Sequence, residues 1–416
     1  MNNNLNTKSI EPHRAKTIIY LLAASVALMM TGFGIIMPVF ARRLGEFGAG
    51  VEAMGLMTMA FALSQMIAAP WLGSLADRRG RRPLVLLALA AFALANIGYL
   101  LANSTTAFIV VRFLGGALTA GLFPATMGIV ADIMPESERG RWVGMVMSGY
   151  AVGFVFGPAL GGLLYDTWGF SAPFLVSAGL AVLGLTLAAI LVPETLTQHS
   201  STPLQTSEPV SIWQSLPRPL TIFGMLLVID FVAVFAFAFI EPQMVFYFYD
   251  DLGWTTLQFG VVVGAYGLAM MLGQTLLGQL SDRFGRKPMI LIGLTLNITF
   301  YATTATTTNF ALLLGVAAVG GLGAALLNPA LSAFYLDITA AQYRSRVIGV
   351  KEAVLGLGGV LGPLLVALVA GFTTARGIFV VAGGLVLLTL VLAAVVLRQP
   401  APPAPAPATV TAASNL

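Results

Sequence analysis

This chain contains no cysteine, very little histidine and few charged residues. None of its 416 residues is cysteine, which excludes disulfides and thiolate metal sites. The two histidines, His13 and His199, stand in polar segments, so no histidine proton relay crosses an apolar segment. Only 9% of the residues are charged, whereas a soluble domain has about 25%. A water-soluble globular protein is therefore excluded.

Apolar residues dominate instead, at 58% of the chain, with a mean hydropathy of +0.90. Twelve apolar segments each reach the roughly 20 residues that a membrane-spanning helix needs. An open sheet would leave backbone groups unpaired in hydrocarbon. The sequence therefore predicts an all-α membrane protein of twelve transmembrane helices, numbered 1 to 12: 17–41, 51–73, 83–102, 107–134, 142–165, 171–192, 220–249, 257–279, 288–307, 310–335, 347–371 and 377–397.

The chain is a tandem duplication. A charged turn at 73–83 returns at 278–288, and Asp77 and Asp282 are 205 residues apart. Many other positions repeat at that offset, which indicates two six-helix pseudo-repeats. We expect an N-terminal segment 1–16, a six-helix bundle 17–192, a polar linker 193–219, a second bundle 220–397 and a disordered Pro/Ala tail 398–416. The repeated positions include Asp132 with Asp337, Arg139 with Arg344, and Gly157-Pro158 with Gly362-Pro363.

The distribution of Lys and Arg predicts the orientation. With a cytoplasmic N-terminus, 17 of the 21 fall in cytoplasmic segments, Arg42, Arg43 and Arg376 are external, and Arg112 lies inside a helix. The positive-inside rule favours this arrangement, with both termini in the cytoplasm. The same rule explains the net charge of +4 without a nucleic acid partner.

Two motifs give a family resemblance. The turn G-x-L-x-D-R-x-G-R-R/K, present in both repeats, resembles that of the major facilitator superfamily. The helix 5 sequence Gly153-x-x-x-Gly157-Pro158-x-x-Gly161-Gly162 resembles the antiporter motif of that family's twelve-helix drug:proton antiporters.

Further segments resemble the quinolone, multidrug and tetracycline exporters of this family. Arg112-Phe-Leu-Gly-Gly116 is similar to the R-x-x-q-G motif, with Gly115 in place of Gln, and the segment 59–65 is similar too. Tetracycline exporters carry an acid near the position of Met29, so a dedicated tetracycline–metal exporter is disfavoured.

The charged turns are predicted to form a conformational latch. The resemblance implies that Asp77 faces helix 11 and that Arg81 pairs with Asp132. Gly73 and Gly80 would permit close approach. The alternative is a solvated basic turn that only sets topology. The repeat supplies the equivalent set Asp282, Arg286 and Asp337.

Small residues in helix 5 form a predicted groove. Gly149, Gly153, Gly157 and Gly161 are four residues apart and therefore share one face, which allows close backbone approach. Generic packing is the alternative, and the resemblance implies contact with helix 8.

Three ionisable residues are expected within the membrane span proper, away from the helix ends: Arg112, Asp230 and Glu241. Charges at such depth are costly and indicate function. Asp230 and Glu241 are 11 residues apart on helix 7, about three turns, so they share a face. We expect Glu241 to carry the proton and Arg112 to assist. Glu241 as a paired polar residue at the mouth, and Asp230 as a structural ion-pair partner, are the alternatives.

A soft, aromatic lining is predicted for the substrate cavity, because methionine and aromatic side chains adapt to varied apolar ligands. Core packing or contact with lipid is the alternative for each residue. The candidates are Met29, Met30, Phe33, Met37, Phe123, Phe231, Phe235, Asn328, Phe334 and Tyr335.

Together these features predict proton-coupled export of hydrophobic, often cationic drugs across the cytoplasmic membrane by alternating access, and hence antibiotic resistance. The partners would be substrate, protons and lipid, with no cofactor, no metal and a monomeric protein. A narrow-range exporter of a lipid, sugar or metabolite remains the alternative. An intramembrane enzyme would need a nucleophile/base set inside the membrane, yet the chain has no Cys, no His in a predicted span and no zinc-type spacing. A membrane scaffold would not need charges in the bilayer.

Overall fold

The computed structural model describes residues 12–135, 138–195, 216–277 and 280–398, and across these ranges it contains no strand. Twelve helices in them are long and apolar enough to cross a membrane, which confirms the predicted fold class. The predicted tail, apart from Arg398, and the linker residues 196–215 lie outside the described residues. The spans are α1 (Pro12–Ile36), α2 (Val51–Arg79), α3 (Arg82–Leu101), α4 (Thr105–Thr119 and Leu122–Ile133), α5 (Arg139–Trp168), α6 (Ser171–Leu191), α7 (Leu220–Phe246), α8 (Thr256–Leu277), α9 (Arg286–Thr306), α10 (Phe310–Asp337), α11 (Arg344–Val369) and α12 (Ala375–Val396).

Several helices depart from the predicted bounds. Predicted helix 1 ends five residues early, at Ile36, and a separate short helix, Val39–Glu46, follows. Pro38 precedes that helix and lacks the N–H that would continue α1. α4 is interrupted at Ala120 and Gly121, and Pro124 lies in the first turn of its second part, where a proline is tolerated. α7 ends in a π turn, Tyr247–Asp251.

The two sets of six helices pack in the same pattern, which confirms the duplication. In the N-terminal half, α1 packs on α5 and α6, α3 on α4 and α6, and α2 on α4. The five corresponding pairs recur in the C-terminal half. One side-chain contact repeats with them: Arg82 donates to Ala189 O, and Lys287, 205 residues later, donates to Ala394 O.

The two ends of the bundle differ in what they carry. α1 begins and α12 ends at the same end of the bundle. This end also holds both charged turns and is called the terminal side here. The opposite end, with the turns after α1, α3 and α5, is called the distal side. Apolar side chains such as Leu101 (77% exposed) and Val395 (77% exposed) cover the outside of the bundle. Exposed apolar surface of this extent indicates contact with lipid.

An aromatic cluster fixes the distal end of the N-terminal half. Phe40, Phe108 and Phe174 are fully buried, and their ring centroids lie 5.7–6.4 Å apart. Such aromatic pairs add about 0.5–1.5 kcal/mol each beyond the area they bury. The cluster joins the short helix after α1 to α4 and α6, so it provides a rigid base beside Arg112 of α4.

Candidate functional site

A cavity of about 470 Å³ lies in the N-terminal half. Methionine, phenylalanine and small apolar residues form most of its wall, with a few polar groups among them. The predicted candidates Met29, Met30, Phe33 and Phe123 all line it. Every lining residue comes from α1 to α5 except Glu352 of α11: Met29, Met30, Phe33, Ile36, Phe61, Gln65, Ala69, Phe92, Ala95, Tyr99, Arg112, Gly115, Thr119, Ala120, Leu122, Phe123, Pro124, Tyr150 and Glu352.

The remaining cavity candidates lie elsewhere. Met37 borders a separate void of about 20 Å³. Phe334 and Tyr335 are packed inside the C-terminal half, with 0% and 1% of their surface exposed. Phe231 and Phe235 stack on each other at 5.5 Å on α7, and Asn328 is exposed. None of these six borders the cavity described above.

Arg112 is held by aromatic rings at the distal end of this cavity. Its guanidinium carbon lies 3.9 Å from the centroid of Phe61, 4.9 Å from that of Phe40 and 5.1 Å from that of Phe33. Only 8% of Arg112 is exposed. Cation–π contacts of this kind are worth up to about 2 kcal/mol each when water is excluded. The rings therefore keep a positive charge at a position where an unpaired cation would be costly.

Glu241 and Arg112 belong to different halves of the molecule and interact electrostatically. Glu241 is partly buried on α7 and interacts electrostatically with Arg112 on α4. No ion pair within 4.0 Å joins Glu241 to a basic residue of the described ranges. The carboxyl group is thus influenced by a cation without being neutralised by it.

Asp230 has a different neighbourhood from Glu241. It is 4% exposed and interacts electrostatically with Lys351 of α11 and with Tyr335 of α10. The ammonium group of Lys351 donates to Ser332 Oγ at 3.0 Å and lies 5.9 Å from the Tyr335 ring centroid. Asp230 therefore belongs to a polar cluster inside the C-terminal half.

Each charged turn on the terminal side holds an ion-pair triad. Arg81 lies 2.7 Å from Asp132 and 3.4 Å from Asp77. In the repeat, Arg286 lies 2.9 Å from Asp337 and also pairs with Asp282. The pairing of arginine with acid that the resemblance implied is thus present in both halves.

Among the described residues, neither triad forms an ion pair with the other half. Asp77 is 68% exposed, and its ion pair within the described residues is with Arg81 of its own half. The expected contact between Asp77 and α11 is therefore not formed here. Gly80 and Gly285 have φ of +109° and +91°, which L side chains rarely adopt, so the turn geometry requires glycine. Gly73 makes only an ordinary contact with Pro124, and Gly278 lies outside the described residues.

The glycine groove of α5 faces α1. A Cβ on Gly157 would lie 2.6 Å from Gly34 Cα, and one on Gly153 would collide with the α1 backbone at Met30. The expectation that the glycines spaced four apart contact helix 8 is therefore wrong, because they face α1 of their own half. The antiporter motif still reaches α8 through its other face. A Cβ on Gly162 would collide with Leu257, and one on Gly260 would collide with Pro158 O.

The distal side is closed by contacts between the halves. Arg42 donates to Trp254 O at 2.7 Å and lies 3.8 Å from the Tyr249 ring centroid. Tyr249 donates its hydroxyl proton to Pro38 O at 2.7 Å. α2 and α11 also approach closely here, because a Cβ on Gly55 would lie 2.6 Å from Pro363 O.

Asp166 makes a further contact across the same interface. Its carboxylate, at the distal end of α5, accepts from the backbone N–H groups of Thr256 (3.3 Å) and Leu257 (2.8 Å). These two N–H groups belong to the first residues of α8, so an acid from one half caps the N-terminus of a helix in the other half. Negative charge at a helix N-terminus is stabilising. The cavity thus lies beneath a closed distal side.

The family model of the Major Facilitator Superfamily matches residues 22–248 and 226–414. The chain belongs to the Major Facilitator Superfamily. Multidrug resistance protein 2 of Bacillus subtilis (strain 168) is 27% identical to this major facilitator over 353 residues, 84% of this chain and 88% of the relative. The class G tetracycline resistance protein of Vibrio anguillarum is 30% identical over 365 residues, 84% of this chain and 89% of the relative.

A solved structure shares the fold. A bacterial homolog of the human lysosomal transporter Spinster, in an inward-facing and unoccupied conformation, matches with a TM-score of 0.78 at 16% identity, covering 95% of this chain and 100% of that chain. The predicted family is confirmed, as is the kinship with multidrug and tetracycline resistance proteins. This major facilitator is a multi-pass membrane transporter.

Sequence reasoning missed several residues of this major facilitator's site. Glu194 Oε1 accepts from Arg81 N at 3.0 Å, and Thr195 donates to Asp132 at 2.9 Å, so the residues just after α6 complete the first triad. They fall in the predicted linker, to which no chemistry was assigned. Lys351 lies seven residues into α11, and its assignment to the cytoplasmic segments in the orientation count concealed it.

Proposed function

We propose that this major facilitator exports hydrophobic, often cationic small molecules in exchange for protons by alternating access. The apolar cavity beneath a closed distal side carries the proposal, because it gives a drug-sized ligand an adaptable wall. The kinship with multidrug and tetracycline resistance proteins supports it. The terminal side is then cytoplasmic, in the plasma membrane, and the monomer contains the complete route.

In this proposal Glu241 is the residue that binds and releases the exchanged proton. Asp230 has Lys351 as a neighbouring cation and belongs to a polar cluster, which supports a structural or assisting role for it. Glu241 has no ion-pair partner within the described residues and lies within the electrostatic influence of Arg112. Glu241 does not border the cavity described above, so in this proposal it carries the exchanged proton, and after proton release its negative charge acts on a cationic substrate from outside the cavity wall.

Alternating access follows from two sets of contacts. The distal contacts of Arg42 and Asp166 hold the present state. When the terminal side closes, Asp77 meets the N-terminus of α11, as in the latch inferred from the sequence. The six-helix halves, α1 to α6 and α7 to α12, then move as domains about the midplane.

The second candidate is a narrow-range exporter of a lipid or metabolite on the same fold. A sugar is disfavoured, because the cavity wall offers few hydrogen-bonding groups for hydroxyls.

Purified protein in detergent should release protons when tetraphenylphosphonium or ethidium is added. Absence of release with a panel of amphiphilic cations, together with no protection of a pump-deficient host, would contradict the proposal.

A further inference from the structure

The charged side chains on the cavity wall differ in their solvent exposure and in their bonding partners. Of the lining residues of the cavity, Arg112 and Glu352 are the two that carry charge. Arg112 is 8% exposed, and its guanidinium faces the rings of Phe61, Phe40 and Phe33. Glu352 is exposed, and within the described residues no hydrogen bond or ion pair engages its carboxylate. The accessible charge on this wall is therefore negative.

The neighbouring cation on α11 does not neutralise Glu352. Lys351 precedes it directly, but successive residues of an α-helix point about 100° apart. The Lys351 ammonium donates to Ser332 inside the C-terminal half, whereas Glu352 borders the cavity of the N-terminal half. Glu352 thus borders the cavity, and it also lies close enough to Asp230 of its own half for an electrostatic interaction.

The surroundings of Glu352 suit a ligand with an apolar body and a positive charge. Opposite the carboxylate, the wall consists of methionine and phenylalanine side chains, which adapt to varied apolar shapes. The two charges lie at different depths in the cavity. Arg112 lies on the distal part of α4, and Glu352 is eight residues inside the terminal end of α11. A bound cation would therefore place its charge towards the terminal mouth and its apolar body towards Arg112.

We propose that Glu352 is the specificity-determining residue of this cavity and selects amphiphilic cations over neutral and anionic molecules of the same shape. The inference rests on the proposed function, since it assigns the substrate class of the same cavity. The carboxylate acts from α11 of the C-terminal half on a ligand that the N-terminal half encloses. A substrate at this position touches both halves, as a midplane site in alternating access requires.

Two probes of one shape and opposite charge test the proposal: tetraphenylphosphonium and tetraphenylborate. Equilibrium binding of each is measured on the purified full-length protein in nanodiscs. Glu352→Gln should weaken tetraphenylphosphonium binding about tenfold, the effect of ~1.4 kcal/mol, and should leave tetraphenylborate binding unchanged or tighter. Glu352→Asp should restore cation binding in part. Asp251→Asn, which removes an exposed distal carboxylate, is the matched control and should change neither.

Charge reversal guards against a variant that simply misfolds. Glu352→Lys should invert the preference and bind tetraphenylborate more tightly than tetraphenylphosphonium, which a damaged protein would not do. Equal weakening of both probes in Glu352→Gln, or unchanged cation binding, overturns the inference and leaves the export proposal standing. Wild-type protein that binds neither probe overturns both. Wild-type protein that binds the cation through Glu352 but never transports it overturns the export proposal alone.

Discussion

Removal of the Asp166 carboxylate should open the distal side. In the structure this group accepts two backbone N–H groups of α8, at 2.8 and 3.3 Å. Hydrogen bonds to a charged acceptor contribute roughly 1.5–3 kcal/mol, and the helix N-terminus adds roughly 0.3–1 kcal/mol. Because Asp166 is exposed, solvent screening reduces these values, and the whole contact is worth about 2 kcal/mol. Asp166→Ala should therefore raise the ratio of distal-open to distal-closed molecules about 30-fold.

The absence of native cysteine makes the measurement direct. Spin labels at Gly45→Cys in the N-terminal half and Thr308→Cys in the C-terminal half report the distance across the distal side. Both positions are exposed, and a Cβ at Gly45 meets nothing within 4 Å. Asp166→Ala should move population from the short to the long distance. Asp250→Ala, which removes a distal acid outside the α8 contact, is the control. The same distance distribution in wild type, Asp166→Ala and Arg42→Ala would refute the closure assigned to these residues.

Two other predictions concern the glycines and the latch. Gly260→Leu should hinder distal closure, since the added side chain meets α5 at Pro158, at a cost of about 1–3 kcal/mol. Gly157→Leu should instead lower thermal stability, because it separates α1 from α5, and Gly315→Leu, with open space around it, should do neither. The reading of these contacts is wrong if Gly260→Leu gives the wild-type label distance. Asp77→Asn and Asp282→Asn should each leave the protein inserted but reduce transport at matched expression, and full transport by both would remove the latch.

Composition and repetition were enough to predict the twelve helices, because apolar length and a 205-residue offset are properties of the chain itself. The Arg81–Asp132 and Arg286–Asp337 pairs were expected from the family resemblance, and the recurrence of both partners at that offset agreed with it. The helices thus follow from the chain itself, whereas the partners of the two arginines came from the resemblance.

The partners of the glycine groove and of the cavity wall could not be predicted in this way. A row of glycines shows that some backbone approaches, but which helix it is depends on how the halves pack. Phe334 and Tyr335 are aromatic residues of the kind that line ligand cavities, yet they are buried inside the C-terminal half. Asp166 and Glu352 carry no sequence pattern, because their roles arise from residues about 90 to 320 positions away.

Gradient-driven accumulation in Glu241→Gln is the most direct test of proton-coupled export. Proteoliposomes or inverted vesicles at matched expression are given a pH gradient, and uptake of tetraphenylphosphonium is followed for wild type, Glu241→Gln and Asp230→Asn. The account predicts that wild type concentrates the cation, that Asp230→Asn does so less, and that Glu241→Gln does not concentrate it although downhill exchange of a neutral substrate persists. Uphill accumulation by Glu241→Gln but not by Asp230→Asn would exchange the roles of the two acids. Uphill accumulation by both variants would contradict proton coupling on α7.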